Sequence, residues 1–94
     1  MTSELNINSK MSIPAHVISR AVDDETVLLD LSKGLYFGLG GIGKRIWEAV
    51  AEGRNLAQIA TDITAEYEVD DERARADVLE FAGKLLARGL FETS

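Results

Sequence analysis

Ninety-four residues at 46% hydrophobic and 28% charged content make one soluble globular domain, whose single core can hide about 60–65% of the surface of the unfolded chain. Neither a second domain nor a doubly wound fold of two βαβαβ halves fits this length. There is no cysteine, and sixteen acidic residues against ten basic give a formal charge of −6. These facts exclude disulfides, thiolate metal sites and cysteine nucleophiles, and they argue against phosphate backbones and anionic membranes as partners.

The N-terminal "MTSELNINSKMSIP" has no apolar run of signal-peptide length, and no segment approaches the roughly 20 apolar residues of a membrane span. The expectation is a cytoplasmic protein with a flexible tail over residues 1–11 and a domain over 12–94. "HVISRAV" (His16 to Val22) and "TVLLDL" (Thr26 to Leu31) are β-branched and aliphatic runs separated by the acidic turn Asp23 to Glu25. Ser32 to Gly34 is a second tight turn, leading into a third short strand, "LYFGL", Leu35 to Leu39. The product is a three-stranded antiparallel meander.

Three helices follow. Ile42, Ile46, Trp47 and Val50 recur at helical spacing, and Gly53 stands at a C-terminal stop. Asn55 with Gln58 three residues on is a capping-box variant, opening a helix whose apolar face is Leu56, Ile59, Ala60 and Ile63. Asp70 can cap the third and longest helix, with Asp71 and Glu72 in its first turn, Arg88 in its last and Gly89 beyond. On a wheel of 100° per residue with Val78 at zero, Ala74, Phe81 and Leu85 fall at about −60° to 0°, and Arg75, Leu79, Ala82 and Leu86 at about 40° to 100°. This arc of about 160° exceeds the roughly 100° that one-sided packing needs. The flank of Leu79, Ala82 and Leu86 is therefore covered by a ligand, by the chain's own sheet or by a second copy.

Gly38, Gly40 and Gly43 stand at G-x-G-x-x-G spacing, but a dinucleotide site needs a parallel βαβ unit and an acid at the end of its second strand. Here the preceding strand belongs to a hairpin and Asp62 lies in a helical pattern, so the glycines are read as a thinned strand and a sharp bend into the first helix. His16, the only histidine, has no catalytic partner and is read as a strand residue. Asp70, Asp71 and Glu72 lack the alternating ligands of a calcium loop and are read as a helix cap. Trp47 is read as core. No nucleophile–base pair or carboxylate dyad is present, so neither an enzyme nor a cofactor is expected. Three strands and three helices also describe a winged-helix DNA-binding protein, yet "NLAQIATDITAEYEV" carries no lysine or arginine.

The string "VLLDLSKGLYFGLGGIGKRIWEAVAEGRNLAQIATDITAEYEVD", with a last helix ending "LLARGLF", resembles the PqqD-like family, the RiPP recognition elements. The resemblance runs from Ser12 to Glu92. It is greatest to the discrete proteins of lasso peptide biosynthesis, other members serving radical SAM enzymes. It implies an α+β, winged-helix-like fold, a three-stranded antiparallel sheet followed by three α-helices. It also implies a non-catalytic peptide chaperone that binds a precursor's leader peptide by strand addition to the third strand, with the last helix as the opposite wall. The site residues expected on this basis are Leu35, Tyr36, Phe37, Gly38 and Leu39 on the strand and Arg75, Val78, Leu79, Ala82 and Leu86 on the helix. The implied partners are a transglutaminase-like cysteine peptidase that removes the leader and an asparagine-synthetase-like cyclase.

Overall fold

A computed structural model describes residues 5–93. Its main sheet has the order β2 (Val17–Val22), β3 (Glu25–Asp30) and β4 (Leu35–Leu39), all antiparallel. The register runs Ile18 to Leu29 to Tyr36 across the three strands. β2 and β3 are joined by only two residues, and Asp23 takes φ 56°, the positive value that a type II′ turn needs at its first central position. The β3–β4 turn is built by Asp30. Its Oδ1 accepts from the Ser32 amide (2.9 Å), the Ser32 hydroxyl (2.7 Å) and the Lys33 amide (3.2 Å). Gly34 completes it at φ +68°.

The helices are α1 (Gly41–Ala51), α2 (Leu56–Tyr67) and α3 (Asp71–Ala87). At the start of α2 the capping box is formed in both directions: the Gln58 amide donates to Asn55 Oδ1 at 2.8 Å and the Asn55 amide donates to Gln58 Oε1 at 2.9 Å. Asp70 occupies the N-cap position of α3, but its side chain makes no cap hydrogen bond; the neighbouring Asp71 pairs with Arg75 instead, at 2.9 Å. Gly89 ends α3 at φ +75°, with the Gly89 amide donating to the Leu86 carbonyl and the Leu90 amide to the Leu85 carbonyl, a left-handed stop that satisfies the last carbonyls.

One face of the sheet meets the helices through Val17 and Leu28, and Ile46, Trp47, Val50, Leu56, Ile59, Ile63, Val78 and Leu85 complete the core. Phe91 is its keystone. The Trp47 ring stacks on it with centroids 5.2 Å apart, and Phe81 meets its edge at 6.2 Å. α2 is tied at the surface by two forked pairs, to α1 through Arg45 with Glu66 (2.9 and 3.0 Å) and to the α1–α2 loop through Arg54 with Asp62 (2.6 and 3.0 Å). These pairs consume the acids of α2.

Where composition leads to the expectation of a flexible tail over residues 1–11, the described residues 5–12 lie against the domain. Met11 and Ser12 form a short strand, β1 (Met11–Ser12), antiparallel to β5 (Glu92–Thr93). Met11 is 1% exposed, Leu5 and Ile7 pack against the core, and the Leu56 amide donates to the Ser9 carbonyl at 3.0 Å. Burying these apolar side chains outweighs the entropy that a free tail would keep. Residues 1–4 of the expected tail lie outside the described residues.

Candidate functional site

Because the order is β2-β3-β4, β4 is an edge strand, and its free side presents a row of backbone donors and acceptors. That edge borders a groove of about 210 Å³ lined by Phe37, Gly38 and Leu39 on the strand and by Phe81, Lys84, Leu85 and Arg88 on α3. Past Phe81 and Lys84 it continues into a hollow of about 250 Å³ between α3 and the first turn of α1, where Ile42 and Gly43 lie. Gly43 is needed there: a Cβ on it would stand 3.0 Å from Phe81 Cε1, so the missing side chain lets the Phe81 ring lie against α1. Gly38 and Gly40 are not demanded by the chain's own packing, since a Cβ at either would make only ordinary contact with the Glu25 side chain, at 3.5 and 3.8 Å.

The Leu35 end of the groove is basic. The Arg88 guanidinium carbon lies 5.8 Å from the centre of the Phe37 ring, and Lys33 Nζ donates to the Arg88 carbonyl at 3.5 Å. The turn holding Lys33 is fixed by Asp30, which is 1% exposed. The Ser32 hydroxyl holds the Asp30 carboxyl below its ordinary value, against the upward push of burial; the Lys33 and Ser32 amides and the nearby His16 act in the same direction as the hydroxyl. Among the described residues, Asp30 Oδ2 is buried without a hydrogen-bond partner. His16 Nε2 donates to the Gly89 carbonyl at 3.1 Å, tying the sheet to the end of α3.

The structure brings only some of the expected site residues together. Phe37, Gly38 and Leu39 line the groove, Leu35 is exposed at its basic end, and Tyr36, 71% exposed, stands on the opposite, outer face of the sheet. The helix wall differs from the expectation. Val78 and Ala82 are fully buried core residues, Arg75 is engaged by Asp71, and Leu79 and Leu86 are half-buried outside the groove lining. The N-terminal segment reaches α3 at Gly83, Leu5 Cδ2 lying 4.0 Å from where a Cβ on that glycine would stand. The wall facing β4 is the other edge of the apolar arc, Phe81 and Leu85 with Lys84 and Arg88 beside them. The signal was on the wheel: Phe81 and Leu85 sit at the negative edge of the arc, and Lys84 and Arg88 lie just beyond it.

The outer sheet face is apolar too. Ile18, Val22, Val27, Leu29 and Tyr36 surround Arg20 in a hollow of about 370 Å³, but this face has no unpaired strand edge at its centre. Among the described residues no group of His, Cys, Asp and Glu is arranged to hold a metal ion, and no helix is long and apolar enough to cross a membrane.

The same architecture occurs in two solved structures. "TbiB1 in complex with the TbiA(beta) leader peptide" is 41% identical, with a TM-score of 0.83 over 86% of this chain and 94% of that one. "Lasso peptide synthetase B1 complexed with the leader peptide" is 25% identical, with a TM-score of 0.83 over 88% of this chain and 98% of that one. No curated protein matches. The family profile described as "Coenzyme PQQ synthesis protein D (PqqD)" matches residues 25–90, from the first residue of β3 to the core residue Leu90. With both groove walls inside that match, the chain belongs to the PqqD family, as a PqqD-like RiPP recognition element.

Proposed function

We propose that this protein captures the leader segment of a ribosomally made precursor peptide, by strand addition to β4 in the groove against α3, and presents it to separate processing enzymes. The observation that carries this reading is the open β4 edge beside an apolar wall of Phe37, Phe81 and Leu85. A free edge supplies backbone pairing to any extended chain, and the side-chain pockets beside it supply selection. The likeness to TbiB1 and to a lasso peptide synthetase B1, each in complex with a leader peptide, supports lasso peptide biosynthesis over a radical SAM pathway. The absence of cysteine and of a nucleophile–base pair supports a binding role without catalysis. A leader peptidase of the cysteine class and a macrolactam-forming cyclase would then be the enzymes served.

Ordering a disordered leader costs about 2–5 kcal/mol of the gross binding energy, so capture is reversible, as a carrier that hands on its cargo requires. DNA binding is disfavoured by α2, which carries no basic residue and whose Asp62 and Glu66 are turned toward Arg54 and Arg45 of the preceding segment. The test is fluorescence anisotropy of a labelled TbiA(β) leader, and of the leader half of the precursor made alongside this protein, titrated with the purified chain. Saturable binding of the cognate leader supports the proposal. A flat titration with both peptides contradicts it.

A further inference from the structure

The groove is charged as well as apolar, and two of its basic side chains have no carboxylate partner among the described residues. Of the ten basic side chains, Lys44, Arg45, Arg54, Arg73, Arg75 and Lys84 lie within 4.0 Å of a carboxylate among the described residues. Lys10, Arg20, Lys33 and Arg88 have no such partner among the described residues, although the chain as a whole is at −6; Arg20 lies in the outer-sheet hollow and Lys10 beside Gly53, whereas Lys33 and Arg88 both stand at the Leu35 end of the groove. Lys84, next along the wall, is held only by Glu80 at 3.8 Å, with both side chains about two-thirds exposed, a pair of little energetic weight. Basic residues at a helix C-terminus also offset its dipole, and Lys33 does so through its contact with the Arg88 carbonyl. Arg88, the C-cap residue of α3, places its guanidinium over the Phe37 ring, on the groove wall where a bound strand would pass. The opposite end of the groove is acidic, with Asp77 and Glu80 beside Ile42.

We infer that Lys33 and Arg88 are specificity-determining residues that select a bound strand carrying an Asp or Glu side chain at the Leu35 end of β4. The inference rests on the leader-binding reading and adds to it which peptides are accepted and in which direction they lie. Apolar pockets tolerate many sequences, and a charge gradient along the groove gives opposite signs at the two ends of the bound strand, which opposes reversed binding.

The test is selection of random 12-residue peptides displayed on phage against the immobilised full chain, in wild-type form and as Lys33→Glu/Arg88→Glu. Both positions are exposed, and circular dichroism checks the fold; Lys33→Gln/Arg88→Gln replaces the reversal if it fails to fold. Wild type is expected to enrich Asp or Glu at one fixed distance from the apolar anchors, and the reversed variant Lys or Arg at that position. In synthetic peptides, Glu→Gln there should weaken binding about fivefold to wild type and less than about twofold to the variant. Apolar anchors without a charge preference, or an equal Glu→Gln effect on both proteins, would overturn the inference and leave leader binding standing. Failure of wild type to enrich any peptide would remove both.

Discussion

At the scale of single residues, Asp30 shows how a buried charge is spent on a turn. Three donors converge on one of its oxygens, which fixes the turn that launches β4 and carries Lys33. Because these bonds lower its folded-state pKa below the ordinary 3.8, its contribution to stability is complete above that value. It is lost as pH falls through the lowered one. Asp30→Asn keeps an acceptor but not the charge. Thermal melts followed by circular dichroism should find the variant less stable than wild type at pH 7, with the gap closing as the pH falls below the ordinary 3.8. A gap that stays constant down to pH 2 would show that the charge is not what Asp30 supplies. Gly43 acts sterically at the same scale, since its bare Cα lets Phe81 approach α1 and floor the groove.

At the scale of elements, the site is set by the rotation of α3 about its own axis. With Phe91 stacked on Trp47 and touched by the edge of Phe81, Phe81 and Leu85 face β4 and the Leu79–Leu86 side faces away. Phe81→Ala should weaken leader binding by about 2 kcal/mol, roughly 30-fold in Kd, as expected for an aromatic anchor in a groove. Leu79→Ala and Leu86→Ala should change Kd by less than about twofold while lowering the melting temperature. The reverse pattern in a calorimetric titration would place the peptide on the other flank of α3. Here the reach of sequence reading is visible. Helix limits were legible because local chemistry sets them: Asn55 with Gln58 opens α2, and Gly89 closes α3. The width of the apolar arc was legible from periodicity, but its orientation was not. Orientation depends on where Phe91 docks, a contact between distant parts of the chain that no local pattern encodes.

At the scale of the whole molecule, the two chain ends close the domain. β1 and β5 pair only two residues each, too few for any alternation to be read, and Met11 of β1 and Phe91 just before β5 are both 1% exposed. The polar stretch before Met11 reads as a tail by composition, yet Leu5 and Ile7 within it reach the core. Starting the chain at Ile13 should lower the melting temperature by about 6–24 °C, taking about 1.5–3 kcal/mol for the Met11 side chain and about 4–8 °C per kcal/mol for a domain of this size. An unchanged melting temperature would mean that the N-terminal segment contributes nothing to the fold in solution. The order of strands and helices, by contrast, needed only patterns of short range, and the meander and three helices were legible throughout.

The central claim is strand addition at β4, and amide hydrogen exchange by NMR, with and without the cognate leader, tests it most directly. N–H groups of successive strand residues point to opposite edges. The leader should therefore slow exchange at one alternate set within Leu35–Leu39, with shift changes at Phe81, Leu85 and Arg88. Unchanged β4 exchange, with perturbation confined to Ile18, Val22, Val27 and Leu29 on the outer sheet face, would contradict the account.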